Sequence, residues 1–325
     1  MTLASVVAAI SAALITAVML CIMRRLLPSS FMASQVRVHT GSIRQVAQIG
    51  GIAIMVALVT TMLAARWSNT AAAHETLSII ISIVAIWALG MYDDLRHPGA
   101  LPKLIVQLIV AGSLVAALHR ADLPTPMLLL VMVVLAWFMN MVNFMDGMDM
   151  MGPAGLGVPL AFSGALLLMQ EPGNMFGVLA LVAAGALAGF LPFNLPPARL
   201  YLGDNGSLVL GLVSGLVALE LWFTFNPAAA LLPFGYYLTD TVSTLLRRVL
   251  AGENILRAHT SHAFQMARKN GRSEFWVMAH IVPTGVALGG LALVAAHGSV
   301  PLAATALGVG LILCGMLILR LRGKF

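Results

Sequence analysis

Long runs of apolar residues, separated by short polar stretches, dominate the chain. Each run has about the ~20 residues that a helix needs to cross ~30 Å of hydrocarbon. Backbone polar groups have no water partners inside a bilayer, so we predict that each run forms a helix. The pattern predicts about eleven spans: Leu3–Ile22, Val46–Ala65, Leu77–Tyr92, Leu101–Leu118, Met127–Phe144, Pro153–Met169, Met175–Leu191, Ser207–Phe225, Ala228–Leu246, Phe275–Ala296 and Val300–Leu319.

The composition favours a membrane protein over a large soluble core. Of the 325 residues, 60% are hydrophobic and only 9% are charged, whereas roughly a quarter of the residues in a soluble protein are charged. We therefore predict an all-α polytopic membrane protein, formed as one integral-membrane domain over residues 1–325.

The basic residues predict the orientation in the membrane. With the amino terminus outside, sixteen of the eighteen lysines and arginines fall in inner loops, and only Arg66 and Arg120 fall outside. Basic residues are enriched in cytoplasmic loops, so we predict a cytoplasmic carboxyl terminus. The net charge of +6 then reflects topology and contact with anionic membrane lipids, and it does not indicate nucleic-acid binding.

Polar clusters interrupt the apolar pattern on the predicted inner face. An ionisable group at the centre of a membrane helix costs about 2.5–3.5 kcal/mol, so such groups usually mark function. The first cluster, GMYDDLRHPG, places Asp93 and Asp94 directly after an apolar run. The second, NMVNFMDGMDMMG, has a polar residue at every third position: Asn140, Asn143, Asp146 and Asp149. A regular helix would wind this row around its axis, so we expect a tighter or broken turn near Gly147.

Two further clusters follow along the chain. FNLPPARLYLGDNGSLVLG joins a Pro-Pro break to the start of an apolar helix, where Asp204 could share a divalent cation with a phosphate. RRVLAGENILRAHTSHAFQMARKNGRS is a basic loop that carries Arg257, His259 and His262. We therefore predict a cytoplasm-facing site for Mg²⁺ and a phosphate-rich ligand, formed by residues 90–103, 140–152, 193–207 and 247–274.

These four clusters, in this order, resemble those of the polyprenyl-phosphate N-acetylhexosamine-1-phosphate transferases. DD, PKLIVQ with Lys103, NFMDGMD, FN with YLGDNGS, and RAHTSH carry the resemblance. Members of this family transfer a sugar 1-phosphate from a UDP-sugar to undecaprenyl phosphate, release UMP and need Mg²⁺. The resemblance implies a multi-pass protein of the bacterial cytoplasmic (inner) membrane, with its amino terminus in the periplasm. Mn²⁺ could replace Mg²⁺, and the protein could form a homodimer.

The resemblance also implies roles for individual residues. Tyr201 is expected to stack on uracil, and Asp93 and Asp94 are similar to residues that act on the lipid phosphate or bind metal. The expected catalytic residues are Asp93, Asp94, Asp204, His259 and His262. The expected substrate contacts are Lys103, Asn143, Asp146, Asp149, Asn194, Tyr201 and Arg257, and the expected metal ligands are Asp204 and Asn143.

The sequence departs from the family pattern at two places, and the first of them favours the branch that initiates O-antigen (lipopolysaccharide) or exopolysaccharide chains. Relatives that make peptidoglycan precursors carry three consecutive histidines, whereas Thr260 and Ser261 precede His262 here. The segment QVRVHTGSIRQVAQIGG also matches the usual Pro-rich loop poorly. We expect a UDP-N-acetylhexosamine, or a deoxy derivative, as donor. The alternative within the family is a phospho-MurNAc-pentapeptide transferase.

Rivals from other classes predict different patterns. A polytopic transporter or lipid flippase predicts charges near the membrane midplane and a pseudo-repeat. An intramembrane prenyltransferase predicts two similar aspartate-rich motifs. In this sequence the charges gather on one face, and no repeat is visible.

Overall fold

The computed structural model describes residues 2–28, 30–37, 43–67, 73–96, 98–118, 124–255, 257 and 259–324. Helices account for most of this chain, with one short β-hairpin and a π-helical turn, Met151–Leu156, directly before α6. The elements are α1 (Leu3–Leu26), β1 (Ala33–Arg37), β2 (Ile43–Ala47), α2 (Gly50–Trp67), α3 (Ala73–Arg96), α4 (Ala100–Ala117), α5 (Thr125–Met145), α6 (Gly157–Gln170), α7 (Met175–Asn194), α8 (Asp204–Thr224), α9 (Pro227–Leu231), α10 (Gly235–Leu250), α11 (Ala263–Lys269), α12 (Glu274–His297) and α13 (Val300–Leu321).

The predicted class, an all-α polytopic membrane protein, is confirmed. Within the described ranges, nine helical segments are long and apolar enough to cross a membrane. The sequence predicts about eleven spans, two more than these nine, because two of the predicted spans are not single long helices. The strand β2 occupies the start of the second one, which leaves the shorter apolar helix Gly50–Ala64. The ninth, Ala228–Leu246, divides into α9 and α10 around Pro233, whose missing N–H cannot continue a helix. The orientation of the termini stays a prediction.

The helix α8 forms the centre of the bundle, where it packs against α2, α3, α5, α6 and α7. Most of its residues are buried, including Ser207 and Ser214. By contrast, α1 leaves a row of large apolar side chains exposed, among them Leu14 and Ile22. Such a row is typical of a surface that faces lipid. The central α8 begins at Asp204, so the core of the bundle holds this residue in place.

Helix ends, rather than loops, carry most of the predicted polar residues. Asp93 and Asp94 lie in the last turn of α3, three and two residues before its end, so the helix extends beyond the predicted span Leu77–Tyr92. The α3 segment remains helical beyond Tyr92 because its last polar residues find partners on neighbouring helices, as described below. Lys103 lies in the first turn of α4 and Asn143 in the last turn of α5.

The segment at 35–51, which the sequence singled out as a departure from the family pattern, includes a β-hairpin. Its strands pair antiparallel from Ala33↔Ala47 to Arg37↔Ile43. The backbone N–H of Tyr201 donates to the Ala47 carbonyl at 2.9 Å, and the N–H of Gly50 donates to the Tyr201 carbonyl at 3.0 Å. The base of the hairpin is therefore attached to the chain that leads into α8. Residues 38–42 lie outside the described residues.

Candidate active site

A lysine joins two of the predicted aspartates. The Lys103 Nζ atom lies 2.6 Å from Asp93 Oδ2 and 3.3 Å from Asp204 Oδ2. The three side chains come from the end of α3, the start of α4 and the start of α8, and all are largely shielded from solvent. Charges removed from water need a partner of opposite sign. Lys103 thus explains how Asp93 is accommodated at the end of an apolar helix.

The neighbouring aspartate has a different set of partners. Asp94 Oδ1 accepts the backbone N–H of Asp204 at 2.9 Å, and Asp94 Oδ2 accepts the backbone N–H of Asn205 at 3.0 Å. The Asn205 side-chain amide also donates to Asp94 Oδ2, at 2.6 Å. The first N–H groups of a helix have no partner within that helix. Asp94 therefore caps α8 from another helix, a position where α8 itself has only Gly203.

Two glycines make this capping contact possible. A Cβ atom at Gly90 would lie 2.4 Å from the Asp204 carbonyl oxygen, so only glycine lets α3 approach the start of α8 so closely. Gly90 and Asp94 are four residues apart and share one face of α3. Gly203 adopts φ +77°, and a Cβ atom there would lie 2.8 Å from Asp94 Oδ2.

A polar cavity of about 300 Å³ lies beside this contact. Gln48, which the sequence analysis missed, also lines this cavity. The backbone carbonyl of Gln48 accepts a hydrogen bond from the Asn205 side-chain amide at 3.0 Å. The structure brings six of the predicted site residues together around this cavity: Asn143, Asp146, Asp149, Asn194, Tyr201 and Asp204.

A second cavity, of about 510 Å³, lies at the opposite end of the bundle. Thr2, Thr61, Thr76 and Met175 are among its lining residues, and no charged side chain is among them. Although it is larger, it offers no group that could neutralise or bind a phosphate. The smaller cavity, with its carboxylates and amides, is the candidate active site.

Hydrogen bonds fix several of the cavity side chains. The Asn143 amide donates to Asp204 Oδ1 at 2.8 Å and to Ser207 Oγ at 2.9 Å. Asp149 Oδ2 accepts the backbone N–H of Ala198 at 2.8 Å. Asn194 Oδ1 accepts the backbone N–H of Met150 at 2.8 Å, and the Asn194 amide donates to the Leu200 carbonyl. Asp149 and Asn194 therefore hold the α7–α8 connection against the chain that follows α5.

The helix break that aligns the second cluster differs in detail from the prediction. The α-helix ends at Met145, and the left-handed residue is Met150, with φ 70°, rather than Gly147. Asp146 and Asp149 reach the cavity through this turn. Asn140 does not line the cavity, because its amide donates to Gln107 Oε1 at 2.6 Å, between α5 and α4.

Several carboxyl groups lie close together at the cavity. Burial raises the pKa of Asp146 well above its usual range, and the neighbouring charges of Asp204, Asp94 and Asp149 raise this pKa further. Carboxylates that face each other in a shielded space repel. A bound cation would relieve this repulsion.

The donor groups suit Mg²⁺ that is shared with a phosphate ligand. Within the part of the chain that the structure describes, no three His, Cys, Asp or Glu side chains form a complete metal cluster. However, Mg²⁺ in phosphate sites is usually held by one or two carboxylates together with the phosphates and water. Asp204 and Asp146 offer two carboxylates on one cavity, and Asn143, after rotation of its amide, offers a third oxygen.

The predicted histidines lie next to the cavity, in the connection between α10 and α11. Neither histidine lines the cavity. The start of α11 does contact its wall, because a Cβ atom at Gly147 would lie 2.9 Å from Gln265 Nε2. His259 Nδ1 lies 2.9 Å from Ser261 Oγ. Burial, followed by the positive charge of Arg248, lowers the pKa of His259 to about 4.

His262 and Arg257 differ in their exposure to solvent. His262 is only 1% exposed, whereas Arg257 is exposed and is not among the residues that line the cavity. Asp240, which the sequence analysis missed, lies 3.7 Å from His262 Nδ1. A usable signal was present, since Asp240 is the lone acidic residue in the apolar stretch 228–246.

Comparison with known proteins finds sequences similar to this chain. A model described as glycosyl transferase family 4 matches residues 76–222, the range that contains the first three polar clusters. The chain is 29% identical over 232 residues to the probable undecaprenyl-phosphate N-acetylglucosaminyl 1-phosphate transferase of Bacillus subtilis (strain 168), a match that covers 66% of this chain and 63% of that relative.

Two further relatives carry another name. The chain is 29% identical over 224 residues to the phospho-N-acetylmuramoyl-pentapeptide-transferase of Halalkalibacterium halodurans, covering 61% of this chain and 67% of the relative. It is 27% identical over 222 residues to the protein of that name from Clostridium botulinum (strain Eklund 17B / Type B), covering 61% and 66%. The chain thus spans about two thirds of the length of these curated relatives.

Proposed function

We propose that the chain belongs to glycosyl transferase family 4, and that it transfers N-acetylhexosamine 1-phosphate from a UDP-sugar to undecaprenyl phosphate and releases UMP. One observation carries the proposal: Lys103 Nζ bridges Asp93 and Asp204 beside a cavity lined by Asp146 and Asn143. A lysine, several carboxylates and an amide at one end of a membrane bundle suit a reaction between two phosphates at a lipid surface.

The reaction forms one bond and breaks another. An oxygen of the lipid phosphate attacks the β-phosphorus of the UDP-sugar, and a new P–O bond joins lipid and sugar phosphate. The bond between the β-phosphorus and the bridging oxygen breaks, and its electron pair leaves with UMP. The attacking oxygen must be deprotonated, and the negative charge on the leaving UMP must be neutralised.

Residues of the chain supply most of what this reaction needs. Lys103, in the first turn of α4, is placed to bind the lipid phosphate near the end of a membrane helix. Tyr201 offers an aromatic ring for uracil, and Asn194 and Asp149 hold the wall on which that ring lies. Mg²⁺ held by Asp204 and Asn143, or Mn²⁺ in its place, would neutralise the diphosphate. Asp146 faces the same cavity and would contact the nucleotide sugar.

The cell location follows from the same proposal. UDP-sugars are cytoplasmic metabolites, so the cavity would face the cytoplasm, which agrees with the basic residues at that end of the bundle. The protein would then lie in the bacterial inner membrane, where undecaprenyl phosphate is its lipid substrate. Its expected physiological role is the initiation of O-antigen or exopolysaccharide chains.

The second candidate within the family is a phospho-MurNAc-pentapeptide transferase, which the names of two reported relatives support. The two candidates differ in the donor sugar. Thr260 and Ser261, in place of two further histidines, favour the UDP-N-acetylhexosamine donor.

The test is a substrate panel with purified full-length protein in detergent. Undecaprenyl phosphate and Mg²⁺ are supplied with UDP-GlcNAc, UDP-GalNAc or UDP-MurNAc-pentapeptide, and UMP and the lipid-linked product are measured. We expect UMP and a lipid-linked N-acetylhexosamine with one of the first two donors, and neither product with Asp204→Asn. UMP only from the pentapeptide donor would support the second candidate. No UMP from any donor, with a labelled solute crossing proteoliposomes, would indicate a transporter.

A further inference from the structure

Asp240 lies at the centre of a buried hydrogen-bond network on α10. Its side chain is fully buried, and it accepts hydrogen bonds from the Tyr236 hydroxyl at 3.2 Å and the Thr244 hydroxyl at 3.1 Å. Both Asp240 oxygens also accept the backbone N–H of Ala263, at 3.0 and 2.9 Å. Asp240 therefore ties the start of α11, where the predicted histidine motif ends, to a helix of the bundle.

The same carboxylate faces His262. Asp240 Oδ1 lies 3.7 Å from His262 Nδ1, within ion-pair reach, and both side chains are shielded from solvent. Rings on either side hold the imidazole: the His262 ring stacks with Phe144 at 6.5 Å and with Phe264 at 6.1 Å between centroids. The third neighbouring ring is His259, at 5.0 Å. His262 thus has one fixed orientation.

Both ring nitrogens of His262 are buried. Among the described residues, neither Nδ1 nor Nε2 of this buried ring has a hydrogen-bond partner. Nδ1 lies 3.7 Å from the Asp240 carboxylate, and Nε2 forms no ion pair within the described part of the chain. A buried polar atom without a partner is costly, and a bound ligand would relieve that cost. Phe144, which packs on the ring, directly follows the cavity residue Asn143.

We propose that Asp240 is a positioning residue: it holds a proton on His262 Nδ1 and thereby keeps Nε2 unprotonated, as a hydrogen-bond acceptor for a protonated group of the substrate. A carboxylate can only accept hydrogen bonds, so its negative charge favours the ring form in which Nδ1 carries the proton. Asp240 would thus fix the tautomer and orientation of the His262 ring, as the aspartate of a hydrolase triad does for its histidine. The proposal rests on the transferase function above, but it makes a separate statement about the ring.

The kinetic experiment is a double-mutant cycle in the UMP-release assay. Asp240→Asn and His262→Asn are compared with the Asp240→Asn/His262→Asn double variant and with the matched control Tyr236→Phe. If Asp240 acts through His262, each single variant lowers kcat by about 10²-fold, in the range for loss of a proton-transfer or orienting group. The double variant is then no slower than His262→Asn alone. Tyr236→Phe, which removes one hydroxyl partner and keeps the carboxylate, stays within about threefold of the parent protein.

A purely structural role for Asp240 gives another pattern. The two single effects would then multiply in the double variant, or Tyr236→Phe would lose as much activity as Asp240→Asn. Either result would overturn the proposal. The size-exclusion profile and thermal unfolding of each variant show whether it is folded, and Asp240→Glu replaces Asp240→Asn in the cycle if the latter does not fold.

A second measurement does not depend on the activity assay. ¹⁵N NMR of histidine-labelled parent protein reports which nitrogen of His262 carries the proton, with the signal assigned by its loss in His262→Asn. We expect a proton on Nδ1. An unprotonated Nδ1 would overturn the proposal even if UMP is released. Absence of UMP release with a protonated Nδ1 would overturn the proposed function and leave the Asp240–His262 relation intact.

Discussion

The carboxylate of Asp94 accepts the backbone N–H of Asp204 at 2.9 Å, across 110 residues of sequence. The aspartate that begins the central helix is thus positioned by an aspartate at the end of another helix. Its neighbour Asp93 instead pairs with Lys103 at 2.6 Å. Two adjacent aspartates, expected from the resemblance to act alike, therefore contact different partners. Asp94 holds the site together, and Asp93 faces its lysine.

Asp94→Asn separates a positioning role from a direct one. An asparagine would turn one donor toward the Asn205 N–H groups, so buried donors would lose their acceptor, at a cost of about 1–3 kcal/mol in the free energy of unfolding. We expect Asp94→Asn to lower both thermal stability and UMP release, and Asp204→Asn to abolish UMP release at nearly unchanged stability. Thermal unfolding and the UMP assay are measured on the same samples. An Asp94→Asn protein as stable as the parent but inactive would instead indicate direct contact with substrate.

Gly90→Ala tests the close approach of α3 to α8. A Cβ atom at this position would lie 2.4 Å from the Asp204 carbonyl oxygen, a backbone atom that cannot swing away. We expect a loss of about 1–3 kcal/mol in stability, as for other overpacked sites, and a large loss of UMP release because Asp204 shifts. The matched control is Gly290→Ala, because a Cβ atom there meets nothing within 4 Å. Equal behaviour of the two variants would show that the α3–α8 contact is not needed.

Lys103→Met tests the bridging cation. Without it, Asp93 and Asp204 face each other uncompensated, and the site loses the group that we propose binds the lipid phosphate. We expect UMP release to fall by about 10²-fold or more, as when a preorganised electrostatic group is removed. The Asp93→Asn/Lys103→Met double variant should unfold at a higher temperature than Lys103→Met alone, since it removes one of the two unpaired charges. A lower unfolding temperature in the double variant would argue against the bridge.

The lowered pKa of His259 predicts that this residue makes the folded protein less stable at acid pH. Its pKa is lowered from about 6.5 to about 4 in the folded protein. Between these values the unfolded chain binds a proton that the folded chain does not, so this residue makes the protein less stable as the pH falls. His259→Asn should therefore lose less thermal stability than the parent between pH 7.0 and about pH 5. The opposite difference, a larger loss in His259→Asn, would show that the ring is protonated in the fold.

Much of the site could be predicted because polar residues at the ends of membrane helices are costly and therefore informative. Asn143, Asp146, Asp149 and Asp204 were identified in this way, and the structure places them around one cavity. The capping role of Asp94 could not be read from sequence, because a hydrogen bond to backbone N–H groups leaves no residue pattern. For the same reason the pairing of β1 with β2 and the left-handed turn at Met150 were not predicted. Asp240 was overlooked because its partner, His262, lies beyond the end of its helix.

The most direct test of the account is a structure of the protein with a UDP-N-acetylhexosamine and Mn²⁺, located by its anomalous signal. We predict the metal at the Asp204 carboxylate, with the diphosphate in the cavity of about 300 Å³ and the uracil ring against Tyr201. A nucleotide bound elsewhere, with no metal at Asp204, would contradict the central claim that these distant aspartates form one phosphate-transfer site.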